Sequence, residues 1–191
     1  MTKIKIAIVV GSNRRESINR KLAQAIVKLA DGRIIPKFVQ IDDLPMYNQD
    51  HESSLPASVA RFKAEIGEAD GLLFVTPEHN RSIPAVLKNA IDWGARPYGQ
   101  SVWIGKPAAI TGTSPGAIGT AIAQQHLRQV VANLGALVMG GEAYVSFKPG
   151  LIDEAGTISD QGTKQFLQNF IDQFSSLVAR LANHEVATLV A

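Results

Sequence analysis

The chain contains no cysteine. That excludes disulfides, thiolate nucleophiles, iron–sulfur clusters and cysteine-ligated zinc. An excess of one charge is missing too. Nineteen Lys and Arg stand against 17 Asp and Glu, for a net charge of +2, which is too small to argue for nucleic acid or a membrane surface as partner. Like charges never run together in blocks. No apolar stretch reaches the roughly 18 residues needed to span a bilayer. Met1-Thr2-Lys3-Ile4-Lys5 leads straight into a strand-like segment, without the apolar core and cleavage site of a signal peptide. The expectation is a soluble cytoplasmic protein. The four histidines, His51, His79, His126 and His184, include no two at ligand spacing, so no metal is expected. Two phosphate-binding signatures are also lacking. There is no G-x-G-x-x-G, and no Gly-Lys-Ser/Thr that would close a P-loop for ATP or GTP.

What is present is an alternation of strand and helix signals along 191 residues, a length that suits one domain covering 1–191. Ile4–Val10, Ile34–Ile41, Gly71–Thr76, Pro107–Thr111 and Ala136–Met139 read as strands. Between them lie amphipathic segments carrying Leu22, Ile26 and Leu29, then Val59, Phe62 and Ile66, then Val86, Leu87, Ala90 and Ile91, then Leu127, Val130, Val131 and Leu134. Gly32 stops the first helix, Pro56 opens the second, and Ser82 is placed to cap the third, with Ile83 and Pro84 in its first turn. The last helix carries Phe166, Phe170, Phe174, Leu177 and Leu181 as a stripe. Such alternation predicts an α/β fold, a doubly wound five-stranded parallel sheet with helices on both faces and strand order 2-1-3-4-5. In that order a crevice opens beyond the C-terminal ends of the first and third strands.

Three loops meet at that crevice. The first runs from Gly11 to Asn19 and offers Ser12, Arg14, Ser17 and Asn19 at a helix N-terminus. Hydroxyls, an amide, a guanidinium and free backbone N–H groups suit a phosphate monoester. The alternative is an ordinary βα turn in which Ser17 or Asn19 only caps the helix. The second loop, Pro77-Glu78-His79-Asn80-Arg81-Ser82-Ile83-Pro84, is short and bounded by prolines. Its backbone donors suit the acceptor-rich edge of an isoalloxazine ring. Here the alternative is a tight turn with Asn80 and Ser82 as caps. The third loop, Gly112-Thr113-Ser114-Pro115-Gly116, brings small residues to the same place, with Ser114 and Gly116 able to approach a flavin. It also matches G-x-S-x-G, the nucleophile elbow of hydrolases, with His184 downstream. The residue after Ser114 is Pro115, however, which lacks the N–H that an oxyanion hole requires.

These segments resemble the NADPH-dependent FMN reductase family, whose flavodoxin-like members include quinone, chromate and azo-dye reductases. The family's Gly-Ser-x-Arg-x-x-Ser-x-Asn loop is matched by Gly11, Ser12, Arg14, Ser17 and Asn19, with Ile18 inside it. Its second signature is matched by Pro77-Glu78-His79-Asn80-Arg81-Ser82-Ile83-Pro84, followed by Leu87-Lys88-Asn89-Ala90-Ile91-Asp92-Trp93. His79 stands where the family has tyrosine. The resemblance implies bound FMN contacted by Ser12, Arg14, Ser17, Ile18, Asn19, Pro77, Glu78, His79, Asn80, Ser82, Ser114 and Gly116. It implies NADPH or NADH as co-substrate, and quinones or chromate as acceptors taking turns with the nicotinamide in ping-pong fashion. No side chain need serve as nucleophile or general base. It also implies a homo-oligomer, dimer or tetramer, with Tyr47, Arg81 and Arg96 as candidates to reach a neighbour. A flavodoxin-like electron carrier is the competing reading, and such carriers are strongly acidic, unlike this chain.

Overall fold

A computed structural model describes residues 3–183. Five strands lie parallel in the order β2-β1-β3-β4-β5, formed by β1 (Ile4–Val10), β2 (Ile34–Phe38), β3 (Gly71–Val75), β4 (Pro107–Ser114) and β5 (Leu137–Val138). A sixth, β6 (Tyr144–Ser146), also pairs with β4. The helices are α1 (Ile18–Leu29), α2 (Ala57–Gly67), α3 (Ala85–Gly94), α4 (Ala121–Asn133) and α5 (Gln161–Asn183). Among the described residues, no helix is long and apolar enough to cross a membrane.

The apolar strands are buried on both faces because each face has its own helical layer. Along β1, Ile4, Ile6, Ile8 and Val10 join the core under α1 and α5, while Ala7 and Val9 join the core under α2, α3 and α4. β3 divides in the same way, Leu73 and Val75 to one side, Leu72 and Phe74 to the other. The period of two is thus present within a continuous apolar run. Each Val, Leu, Ile or Phe among them, fully buried, stabilises the fold by about 1.5–3 kcal/mol relative to exposure.

Several boundaries differ from the sequence expectation. β2 ends at Phe38, not Ile41. Val39 makes one last bond to β1, its N–H donating to Ile8 O at 3.0 Å, after which the chain turns and buries Val39 and Ile41 in the second core layer. β4 runs three residues past Thr111, because β6 pairs with its second half through Gly112, Thr113 and Ser114. β5 is only two residues long. In α5, Phe170 and Phe174 are buried, but Phe166 is exposed and the remaining buried residues are Leu167, Ile171, Ser175 and Val178. The contact face follows the packing of α5 on α1, β1 and β4 more than the phenylalanine spacing. His184 lies outside the described residues.

Candidate active site

The ladder bonds carry the sheet up to the crevice. Gly11 N–H donates to Val75 O and Thr76 N–H to Thr111 O, both at 2.9 Å. The loops 11–17, 77–84 and 114–120 therefore start side by side at the C-terminal ends of β1, β3 and β4. Close approach is enforced at Gly112, where a Cβ would sit 2.0 Å from Thr76 O and 2.5 Å from Thr120 Oγ1.

In the first loop, Ser17 is the N-cap of α1, and its hydroxyl oxygen accepts from Arg20 N–H at 3.2 Å. That leaves the hydroxyl proton free to donate. Asn19 is buried and bonded through both ends of its amide. Its Nδ2 donates to Thr113 O and its Oδ1 accepts from Thr113 N–H, both at 2.9 Å. The side chain that the sequence offers as a phosphate donor is instead committed to tying α1 to β4, and the donor that Asn19 presents at the helix start is its backbone N–H. With Ile18 N–H it belongs to the first turn of α1, where backbone donors have no partner within the helix. Ser12 is half-buried, while Asn13, Arg14 and Arg15 are exposed. Arg14 enters no ion pair among the described residues.

The second loop is a two-residue hairpin. His79 N–H donates to Ser82 O and Ser82 N–H to His79 O, both at 2.9 Å. Asn80 and Arg81 form its tip with φ of 48° and 63°, the left-handed pair of a type I′ turn. Ser82 does not cap α3. The helix begins at Ala85 with Pro84 as its N-cap, because Ser82 O, which an N-cap gives to the first intrahelical bond, accepts from His79 N–H across the hairpin. The Ser82 hydroxyl instead lies 3.1 Å from His126 Nδ1 on α4. Glu78 also reaches α4. Its Oε2 accepts from Ile122 N–H at 3.0 Å and Ala123 N–H at 3.1 Å, and its Oε1 pairs with Arg81 at 3.1 Å. A carboxylate at a helix N-terminus is favoured by orphan donors and by the macrodipole. Pro77 is half-buried behind Glu78, while His79 and Asn80 are exposed.

In the third loop, the Ser114 hydroxyl donates to Gly119 O and accepts from Gly116 N–H at 3.2 Å. It is spent on shaping its own loop rather than on an imidazole, so the nucleophile-elbow reading gains no support here. Gly116 is exposed, with its carbonyl accepting from Ser146 at 3.2 Å. The expected site residues thus gather in one place, but Ser114 is engaged within its own loop, and Asn19 and Glu78 have protein partners that local sequence does not reveal. Those partners lie 94 residues away for Asn19, and 44 and 45 for Glu78.

Tyr47 turns inward. Its hydroxyl donates to Glu52 at 2.6 Å, which raises its pKa, and its ring meets Trp93 edge-on at 5.1 Å. Asn89 and Trp93 hold the same loop by donating to Pro45 O at 2.9 and 2.7 Å. Arg96 gives its carbonyl to the Lys63 ammonium.

Comparison with known proteins agrees with this geometry. Residues 4–150 match the model of the NADPH-dependent FMN reductase family. A 2-hydroxy-1,4-benzoquinone reductase of a Burkholderia species is 52% identical over 92% of this chain and 96% of its own. A quinone reductase of Pseudomonas putida is 50% identical over 91% and 94%. Among solved structures, the flavoenzyme NAD(P)H:(acceptor) oxidoreductase FerB from Paracoccus denitrificans is similar with a TM-score of 0.90 and 44% identity, covering 93% of this chain and 98% of that one. An archaeal flavodoxin, 13% identical with a TM-score of 0.61 over 92% of this chain and 99% of its own, shows the fold alone.

Proposed function

Because the chain belongs to the NADPH-dependent FMN reductase family, we propose that it is an FMN enzyme that takes reducing equivalents from NAD(P)H and passes them to quinones. The observation that carries this reading is the convergence of three loops on one crevice, locked together by Asn19 and Glu78. When bound, FMN supplies the redox chemistry, and the protein supplies position and electrostatics.

The donor set fits a flavin phosphate. Ser12, Arg14, the free proton of Ser17 and the backbone N–H groups of Ile18 and Asn19 are donors on one loop, and the dipole of α1 adds to them. Pro77, His79, Asn80, Ser114 and Gly116 would hold the ring. Glu78 and Ser82 act on it indirectly, by fixing the hairpin to α4. Reductant and quinone take the same open crevice in turn, so initial-rate lines at several fixed NADPH concentrations run parallel. Intersecting lines overturn that scheme. Chromate as a further acceptor, a dimeric or tetrameric assembly and a cytoplasmic location extend the proposal on family resemblance.

The test is the visible spectrum of the purified protein under anaerobic conditions. Flavin bands bleach on adding NADPH and return on adding a benzoquinone. Absence of a flavin, with no binding of added FMN, overturns the reading. Bands that NADPH and NADH both leave unchanged point to an electron carrier reduced by another protein.

A further inference from the structure

A second recess lies on the β2 side of the first loop. It has a volume of about 170 Å³ and is lined by Ser12, Arg14, Arg15, Arg20 and Asp42, with apolar residues of β1 and the chain after β2 beneath them. Three arginines and one aspartate line this small space. None of the three arginines enters an ion pair among the described residues. Arg20 is positioned by Phe38, with its guanidinium carbon 6.0 Å from the ring centroid. The arginines are exposed, so a ligand reaches them from solvent.

Uncompensated guanidinium groups around a recess attract a multivalent anion, and their planar forks suit a phosphate monoester. The volume is below the roughly 300–1,000 Å³ of ordinary small-molecule pockets. It suits a phosphate with part of a sugar rather than a whole nucleotide. Place adds a second argument. In doubly wound sheets that bind dinucleotides, the adenosine ribose sits between the loop after the first strand and the end of its neighbour. There an acidic residue bonds the free 2′-hydroxyl of NAD, or an arginine accommodates the 2′-phosphate of NADP. Asp42 follows β2 and lines the recess together with Arg15 and Arg20, and three arginines there outnumber the one aspartate.

We propose that this recess seats the phosphorylated adenosine ribose of NADPH, with Arg15 and Arg20 pairing with the 2′-phosphate and Asp42 accepting from the remaining ribose hydroxyl. The inference rests on the reading that a nicotinamide dinucleotide is the reductant, and it makes NADPH the preferred form over NADH.

The experiment uses calorimetry on the protein saturated with FMN, so that the flavin phosphate already occupies the donors of the first loop and binding is read without any redox step. Adenosine 2′,5′-bisphosphate, adenosine 5′-monophosphate and inorganic phosphate are the probes, tested on wild type, Arg15→Gln, Arg20→Gln and Arg20→Lys. The bisphosphate binds at least about tenfold more tightly than the monophosphate, and either glutamine variant removes most of that preference while Arg20→Lys restores part of it. In the FMN-loaded enzyme the NADPH-to-NADH ratio of kcat/KM falls about tenfold in Arg20→Gln. Equal binding of the two nucleotides overturns the proposal. So does inorganic phosphate binding as tightly as the bisphosphate, which makes the recess a general oxyanion site. Loss of FMN affinity in Arg20→Gln also overturns it, by assigning the recess to the flavin phosphate. A wild-type protein that binds the bisphosphate selectively but no FMN refutes the flavoenzyme reading and leaves the recess as assigned.

Discussion

Asn19 bonds both backbone groups of Thr113, donating to its carbonyl and accepting from its N–H at 2.9 Å each. The side-chain amide thereby acts like one more peptide unit, joining the start of α1 to β4 inside the protein. Both residues are nearly fully buried, at 2% and 1% exposure, so no water can replace the lost partner. Asn19→Ala leaves a buried donor and a buried acceptor unsatisfied and lowers stability by about 2–4 kcal/mol. Urea unfolding measures this, and a loss under about 0.5 kcal/mol contradicts it.

Glu78 is the equivalent tie on the other side of the crevice. Its carboxylate is mostly buried and takes two N–H groups at the start of α4. Thr120, the residue at the N-cap, makes no side-chain cap bond of its own. Glu78→Ala therefore lowers stability by about 2–3 kcal/mol, and Glu78→Gln, which keeps an acceptor, by about 1 kcal/mol. Equal losses in the two variants would show that the charge at the helix end, rather than the hydrogen bonds, carries the effect.

Arg14 carries the flavin-phosphate prediction. Arg14→Ala weakens FMN binding by about 1.5–3 kcal/mol, as for a charge-assisted hydrogen bond, which is roughly 10- to 150-fold in dissociation constant. Quenching of FMN fluorescence on binding gives the value directly. An unchanged constant means that Arg14 points away from the phosphate. Thermal stability stays within about 0.5 kcal/mol of wild type, since the side chain is exposed.

Arg81 sits at a φ of 63°, where a Cβ is crowded and glycine is not. Its ion pair with Glu78 is mostly solvent-exposed on the arginine side, at 71%, and such pairs contribute little. Arg81→Gly makes the tip Asn-Gly, the favoured type I′ sequence, and stabilises the protein by about 0.5–1 kcal/mol. Thermal unfolding decides this, and a destabilised variant shows that the Glu78 pair outweighs the backbone strain.

Sequence alone determined the parallel order, the two-faced burial of β1 and β3, and the three loops that meet at the crevice. Alternation of apolar strands with amphipathic helices leaves few other ways to bury those faces, and the chain's short donor-rich loops are local features. What only the tertiary structure decided are pairings between groups distant in the chain. β6, three residues long, exists because the far half of β4 offers unpaired backbone groups. Ser82 leaves α3 uncapped because the hairpin takes its carbonyl and its hydroxyl pairs with His126 of α4. Asn19 and Glu78, read from sequence as ligand contacts, become ties between elements because burial makes an unpartnered polar group costly, and the nearest partners were set by the packing. The recess of Arg14, Arg15, Arg20 and Asp42 arises in the same way. Arg14, Arg15 and Arg20 are close in the sequence, and Asp42 joins them only where β2 lies beside the loop after β1.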